Sequence, residues 1–389
     1  MVEDRSAAAV AAAFGLGTVL DEWESVHGGR SHRSWRLRTS EGDWIVKRLN
    51  RSRESWWLAD HTIAAEIELA AVRRGISMPR PVPPRDPVAP LLADLTIDGG
   101  PASFLVHEWC SGRAPTAADI TPDLADWVGW TLADLHSLSP DVPVDAVPPQ
   151  TVHSVGEWAA WLDGAAPDVA PGFLGSVRTR LPDVERAVEI VTAALTGPGR
   201  GLTPVRTHRD VKPDNVLLTR TAPILVDWDG AGPDVAEWEA VRAASAFGRA
   251  AASPAAAAVS PSSSASPTAT APGPATGGGR PPGLPPANPP AASRAAAGDR
   301  HVFGRVLRAY TARSGRRIAP TTDAFAGLLR TQLGGAAWML FRALGHRPVT
   351  PLERAAAHDH ALELLADLHV SLTEIPTWTR WLAEAQDAP

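Results

Sequence analysis

Between Thr207 and Thr219 the chain reads THRDVKPDNVLLT, and twelve residues beyond Asn215 the apolar run PILVD ends at Asp227. Two carboxylates, an amide, a lysine and a histidine at this spacing suit phosphoryl transfer. In that reaction the protein supplies little covalent chemistry; it positions a hydroxyl, neutralises phosphate oxygens and excludes water. Asp210 is placed to accept a hydrogen bond from the attacking hydroxyl and orient it as general base. Asn215 and Asp227 offer hard oxygen ligands, which suits Mg²⁺ that keeps waters and bridges nucleotide phosphates. Lys212, two residues past Asp210, brings an ammonium within reach of the moving phosphate. His208 is expected to pack and hydrogen-bond so as to hold the loop, not to ligate metal. A lone Asp or Asn in a loop is commonly a turn residue, and Asp214 in KPDN is read that way. The order H-x-D-x-x-x-x-N with a distal Asp, bounded by two strand-like runs, carries the assignment.

Of 37 basic side chains only Lys47 and Lys212 are lysine. A coding bias toward arginine erases lysine wherever either cation serves, so the survivors mark positions where a compact ammonium is needed. Lys47 ends the strand-like DWIVK, where alternation points it into a cleft beside the phosphates. Such a lysine usually needs an acidic partner on the following helix. Glu66 and Glu68 are the candidates; two apart, they face different sides of the helix, and Glu66 is preferred.

The elements that must position these residues fall into two groups. From Val19 to Asn50 apolar and polar residues alternate between turn signals, which predicts three antiparallel strands. His61 to Gly75 spaces Ile63, Ile67, Ala70 and Ala71 like one helix face and stops at a glycine. LADLTID and SFLVHEW predict a further hairpin. After Gly112 the pattern turns helical, in DLADWVGWTLADLHSL, SVGEWAAWLDG and LPDVERAVEIVTAALTG. NVLLT and PILVDWD are short strand-like runs around the catalytic motif. Residues 251–298 are nearly all proline, alanine, serine and glycine, a composition that buries too little to offset its ordering entropy. Further helical periodicity follows, and no internal repeat is found.

The division expected is an N-terminal nucleotide-binding lobe, 1–108, and a C-terminal lobe with catalytic and metal-binding loops, 109–250. A disordered insertion, 251–298, and helices rejoining the C-terminal lobe, 299–389, complete it. The fold class is α+β, a small antiparallel sheet with one main helix beside a larger, mostly helical lobe. With 389 residues, 44% of them hydrophobic, the chain can bury a sizeable core. A net charge of -6 argues against nucleic acid or anionic membrane as partner. Cys110 is the only cysteine, so no intramolecular disulfide forms, and a cytoplasmic monomer is expected. The N-terminal VEDRSAAAVAAAFGLG is too short to span a bilayer and reads as an uncleaved amphipathic helix or tail.

The chain resembles the aminoglycoside phosphotransferase family of small-molecule kinases, which has a protein-kinase-like, bilobal fold. The resemblance lies in VHGGRSHRSWRL, WIVKRL, RRGISMPRPV, LVHEWCSG, LADLHSL, THRDVKPDNVL and LVDWDGAGP, in that order. It implies transfer of the γ-phosphate of ATP, with Mg²⁺, to a hydroxyl of a small molecule. It also implies that Lys47 contacts the α- and β-phosphates and pairs with Glu66, and that Gly28, Gly29 and Ser31 form the nucleotide loop. The backbone from His107 to Trp109 would hold adenine, with Asp210 as base and Asn215 and Asp227 as metal ligands. Glu239 would be a structural acid bracing the catalytic loop.

Arg209 and Lys212 depart from the small-residue H-G-D form and read more like a protein kinase, so a protein serine/threonine kinase is the first alternative. Against it, G-x-G-x-x-G is missing, Trp228 and Asp229 follow Asp227, and no A-P-E segment follows. A catalytically dead binding module is the second alternative, opposed by the complete Asp210, Asn215 and Asp227 set. Asp229 could touch metal through water, and a structural role is the one expected for it. His358 and His360, two apart on a helix, are read as solvated and not as a metal pair. Trp158 with Trp161 and Trp378 with Trp381 have the spacing of packed helix faces. The first 110 residues carry 13 basic and 15 acidic side chains against 24 and 28 in the rest, too slight an acidic excess to favour a polycationic acceptor.

Overall fold

The computed structural model describes residues 2–21, 23–26, 32–50, 56–97, 100–138, 152–196, 204–253, 298–347 and 350–387. Helix α1 (Val2–Phe14) precedes strands β1 (Glu24–Val26), β2 (Arg33–Thr39) and β3 (Gly42–Leu49). Helix α2 (Trp56–Arg74) then leads to β4 (Ala93–Ile97) and β5 (Gly100–Glu108). The five strands form one antiparallel sheet in the order β1-β2-β3-β5-β4. The N-terminal segment is indeed a helix: Ala7, Val10, Ala11 and Phe14 pack with Leu37, Val46 and Phe104 of the sheet.

Helix α2 starts at Trp56, earlier than the expected His61, because Trp57 is buried with Leu49, Leu91, Leu92 and Leu105. Of the four residues expected on its buried face, Ile67, Ala70 and Ala71 are buried and Ile63 is not. Ala64, Ala65, Ile67, Glu68 and Ala71 turn inward, while Ile63 is 37% exposed. Small alanines make up much of this face, which extends the expected set to Ala64 and Ala65.

The C-terminal part is helical: α3 (Pro122–His136), α4 (Val155–Asp163), α5 (Pro171–Arg178) and α6 (Leu181–Thr196) come first. Two small two-stranded antiparallel sheets follow. Strand β6 (Pro204–Thr207) pairs with β9 (Gly232–Val235), and β7 (Val216–Leu218) with β8 (Pro223–Leu225). Helices α7 (Ala236–Ala252), α8 (Arg300–Ser314), α9 (Ala326–Ala343) and α10 (Pro351–Asp387) complete it. Thr121 caps α3 by accepting the Leu124 N–H, with Pro122 opening the helix. Gly129 lets α3 and α8 touch, since a Cβ there would collide with the Val306 carbonyl.

One core runs through this part and takes in Ala64, Ile67 and Ala71 of α2, so the main N-terminal helix is seated on the helical part. Trp158, Trp238 and Trp378 are among its largest fully buried side chains, with Trp161 and Trp381 packed against it. The paired tryptophans therefore fill core. His358 and His360 are half-buried instead of solvated, His358 against Phe173, and they bond to different acids, Asp359 and Glu363. No helix among the described residues is long and apolar enough to cross a membrane.

The expected insertion lies outside the described residues apart from its ends. Ala251 and Ala252 finish α7, and Gly298 and Asp299 return beside it, with the Asp299 N–H 2.8 Å from the Gly248 carbonyl. Asp299 also caps α8, accepting from the His301 and Val302 N–H groups. The two ends thus meet in a geometry that a short loop closes. Replacing 254–297 by a short Gly/Ser linker is expected to leave the melting temperature unchanged or raise it by a few degrees, because a shorter loop costs less closure entropy. A cooperative loss of folding in that variant would show that the segment packs.

Candidate active site

Lys47 sits on β3 between Ser34 of β2 and Leu105 of β5. Its ammonium leaves the sheet and donates to Oδ1 of Asp227 and, at 2.8 Å, to Oδ1 of Asp229. This is the polar link between the N-terminal sheet and the loop after β8. His32 closes the group. The Asn50 N–H donates to His32 Nδ1 at 3.0 Å, so Nε2 carries the proton and faces Asp229 Oδ2 at 3.2 Å. Burial works against the Lys47 ammonium, but Asp229 and Asp227 more than offset it and raise its pKa. Burial and the Asp229 charge push the Asp227 carboxyl up. Asp229, despite its burial, is held well below the ordinary carboxylate range by Lys47 and His32.

Asp227 and Arg209 are the two non-glycine residues with left-handed backbone among the described residues, φ 72° and 67°. Such conformations persist only where surrounding contacts fix them, and here the contacts are visible. His208 is fully buried and donates from Nε2 to the Val226 carbonyl at 3.0 Å, while its Nδ1 accepts the Asp210 N–H at 3.3 Å. Val226 in turn donates its N–H to the Asn215 carbonyl at 2.9 Å. The Trp228 ring meets the His208 ring edge-on, 4.7 Å between centroids. One histidine therefore sutures the segment before Asp210 to the segment before Asp227.

Within the catalytic loop Lys212 Nζ lies 2.7 Å from Asp210 Oδ2. The Asn215 amide nitrogen donates to the same oxygen at 2.8 Å and to the Asp210 carbonyl at 2.9 Å. With its nitrogen committed, Asn215 has its amide oxygen left to offer a cation. Asp214 belongs to the short 3₁₀ turn Pro213–Asn215, as its turn reading required.

A buried chain braces this loop from behind. Glu239 on α7 accepts the Arg209 N–H through Oε1, and its Oε2 lies 2.8 Å from His136 Nε2 on α3. His136 Nδ1 reaches the Tyr310 hydroxyl of α8 at 3.0 Å. Both Glu239 and His136 side chains are fully buried. Despite its burial the Glu239 carboxyl is lowered, by His136 first and then by Arg242.

The expected Lys47–Glu66 pair does not form. Glu66 is on the exposed side of α2, whereas Glu68, one helix side away, is buried and meets His107 Nε2 at 2.7 Å. The inward face of α2 is set by its alanines, and that face carries residue 68. His107 and Trp109 stand at the end of β5, with the Glu108 N–H given to Arg80 and the Trp109 N–H to Asp43. The Trp109 ring lies under the Arg36 guanidinium, 4.8 Å from its centroid. Gly28, Gly29 and Ser31 fall outside the described residues. The sequence reading missed Asp229 as a partner of Lys47, although its place two after Asp227 was visible; for His32 and the His136–Tyr310 pair no local signal existed.

Among the described residues no cluster of three or more His, Cys, Asp or Glu side chains is suited to a metal. The oxygen set here is two carboxylates and one amide oxygen. Magnesium on a nucleotide needs no more than this from protein, since phosphates and waters complete its octahedron. One ammonium against two carboxylates also leaves net negative charge. The residues present fit Mg²⁺ on that ground.

Two expectations follow from these contacts. Glu239→Ala should cost about 3–5 kcal/mol in denaturant unfolding, because it strands a buried histidine and a loop amide, and should speed hydrogen exchange across 207–212. Glu68→Ala should destabilise the fold while Glu66→Ala changes it by less than about 0.5 kcal/mol, as for an ordinary surface site. Equal effects would show that the inward face of α2 is misassigned.

The model of the phosphotransferase enzyme family, APH, matches residues 22–263, more than half of the chain. Among solved structures, a spectinomycin phosphotransferase in complex with ADP and spectinomycin superposes with a TM-score of 0.62 at 11% identity, covering 95% of this chain and 98% of its own. A choline/ethanolamine kinase family protein from Mesorhizobium loti gives 0.56 at 16% identity, covering 100% of both chains. An amicoumacin kinase in complex with AMP-PNP, Ca²⁺ and Ami gives 0.55 at 13% identity, covering 94% of each. At these identities the likeness shows the fold, a kinase-like one with an antiparallel N-terminal sheet and a helical C-terminal part. No curated protein matches. The family match shows that this chain belongs to the APH family of phosphotransferases.

Proposed function

We propose that the protein transfers the γ-phosphate of ATP, with Mg²⁺, to a hydroxyl of a small molecule. The observation that carries this reading is the meeting of Lys47 with Asp227 and Asp229, beside an Asp210 held by Lys212 and Asn215. The nucleotide would lie between the N-terminal sheet, residues 1–108, and the helical part, its base near His107 to Trp109.

Asp210 accepts the hydrogen bond of the acceptor hydroxyl and takes its proton as that oxygen bonds to the γ-phosphorus, while the bond from this phosphorus to the β,γ-bridging oxygen breaks and ADP leaves. The two donors on Asp210 Oδ2 fix the rotamer of the carboxylate and leave Oδ1 to face the hydroxyl. Lys212 stands where negative charge accumulates on the transferred group, and Lys47 gives its ammonium to the nucleotide phosphates. Asp227, the Asn215 amide oxygen and Asp229 would hold Mg²⁺, which when bound supplies charge neutralisation to the phosphate oxygens. Positioning and electrostatics suffice, since phosphoryl transfer asks for little else. The ADP, AMP-PNP and small molecules bound in the structural neighbours support a nucleotide and a small acceptor.

Asp210→Ala is expected to lower turnover about 10²–10⁴-fold with ADP affinity retained, measured by coupled ADP release and calorimetry. Full turnover in that variant removes Asp210 as base. Lys47→Arg should impair turnover and nucleotide binding, because a planar fork cannot replace a point charge between two carboxylates. Wild-type kinetics there would take Lys47 out of the site.

A further inference from the structure

Next to the catalytic loop lies a cavity of about 250 Å³ that the chemistry above does not use. Its wall carries three guanidiniums, Arg209, Arg242 and Arg330, and one carboxylate, Asp234. It opens beside the exposed Thr331 and the Gly334–Gly335 pair of α9. Arg330 donates to Asp234 Oδ2 at 2.6 Å, and Arg242 lies 3.6 Å from the same oxygen and donates to Thr331 Oγ1 at 3.0 Å. Arg209 donates to the Pro233 carbonyl at 2.7 Å.

These hydrogen bonds fix the three arginines without using them up. The side chains of Arg242 and Arg330 are only 9% and 8% exposed. Yet Arg242 Nη2 and Arg209 Nε are buried with no hydrogen-bond partner, the nearest carboxylate to Arg242 Nη2 being Glu239 at 3.7 Å. Buried donors are ordinarily satisfied, and buried charge is costly without compensation. Glu239 does not balance the account, because His136 and the Arg209 N–H already hold it. Three cations thus face one wall carboxylate. Burial lowers the Arg209 and Arg330 pKa values, and the neighbouring guanidiniums lower them further, against Asp234 and, for Arg209, the more distant Asp60, which is not on the cavity wall. The backbone is adapted to this arrangement as well: a Cβ on Gly232 would collide with the Arg209 guanidinium, so glycine leaves its passage open.

We infer that this cavity is an oxyanion site, which takes a phosphate or carboxylate group of a small molecule between Arg209, Arg242 and Arg330. Guanidiniums match such groups with paired, charge-assisted hydrogen bonds. The volume is several times the roughly 30 Å³ that one water occupies in the liquid. Two sources share this chemistry: an acidic group on the acceptor itself, or free inorganic phosphate. The binding site stands whether or not the kinase reading does; only its link to the acceptor rests on that reading.

The test uses the full chain with ADP and Mg²⁺ in excess, so that any nucleotide-phosphate pocket is filled, and inorganic phosphate as probe at matched ionic strength. Phosphate is expected to raise the melting temperature saturably, by about 2–4 °C at millimolar concentration. Arg242→Gln should weaken this response at least tenfold. Thr331→Glu, a change at the exposed mouth that places a carboxylate into the cavity without touching the core, should do the same even if Arg242→Gln fails to fold. A wild-type response equal to that of Thr331→Glu, or no response at all, overturns the site. The melting shift given by ADP alone is read separately, and its absence would count against the kinase reading and not against the cavity. Two further arms separate the sources. If the acceptor supplies the anion, acidic hydroxylated compounds outperform their neutral analogues, and Thr331→Glu raises KM for them at least tenfold with little change in kcat. If phosphate itself is the ligand, added phosphate changes the rate with neutral acceptors in the wild type and not in Thr331→Glu.

Discussion

A carboxylate with no exposure at all is expensive to keep ionised, and Glu239 is such a group. Its cost is met by His136 from α3, by the N–H of Arg209, and at longer range by Arg242. Because these partners come from three different segments, the carboxylate is satisfied only when α3, α7 and the catalytic loop stand in register. The left-handed Arg209 backbone follows from the same demand, for it turns the Arg209 N–H toward Glu239 and sets the direction in which the chain enters Asp210. The geometry of the catalytic loop is thus fixed from the interior of the helical part.

A second suture carries that order forward. His208 ties the catalytic loop to Val226, Val226 ties to Asn215, and Trp228 packs on His208. Asp227 then emerges with its own left-handed backbone, and Asp229 two residues on, to meet Lys47 from the sheet. Acidic and basic groups separated by 180 residues in sequence are brought together by these few contacts. The charged groups of the proposed nucleotide site are thus gathered in one place.

Much of this was legible in the sequence where a pattern is local. The turn at Asp214 and the two strand-like runs around it stand as the sequence implies, and the two scarce lysines both lie on carboxylates. What the sequence hid is non-local or made of small residues. On α2 the hydrophobic pattern picks out Ile67, Ala70 and Ala71, which are buried, but also Ile63, which is not, and it begins at His61 whereas the helix begins at Trp56. Glu66 was preferred to Glu68 because nothing in the sequence says which side of a helix meets the sheet. The motif names Asp227 alone, so nothing in it says that Asp229 shares Lys47. The chain from Glu239 through His136 to Tyr310 joins residues that no spacing rule connects, and the resemblance alone pointed to its first member.

The central claim is phosphoryl transfer to a small hydroxylated acceptor, and phosphorus-31 NMR of purified protein with ATP, Mg²⁺ and a panel of such compounds tests it most directly. The account predicts that the γ-phosphate resonance of ATP declines while a phosphomonoester resonance of one acceptor grows in equal measure. Release of inorganic phosphate alone with every compound, or phosphate appearing on protein substrates instead, would contradict it.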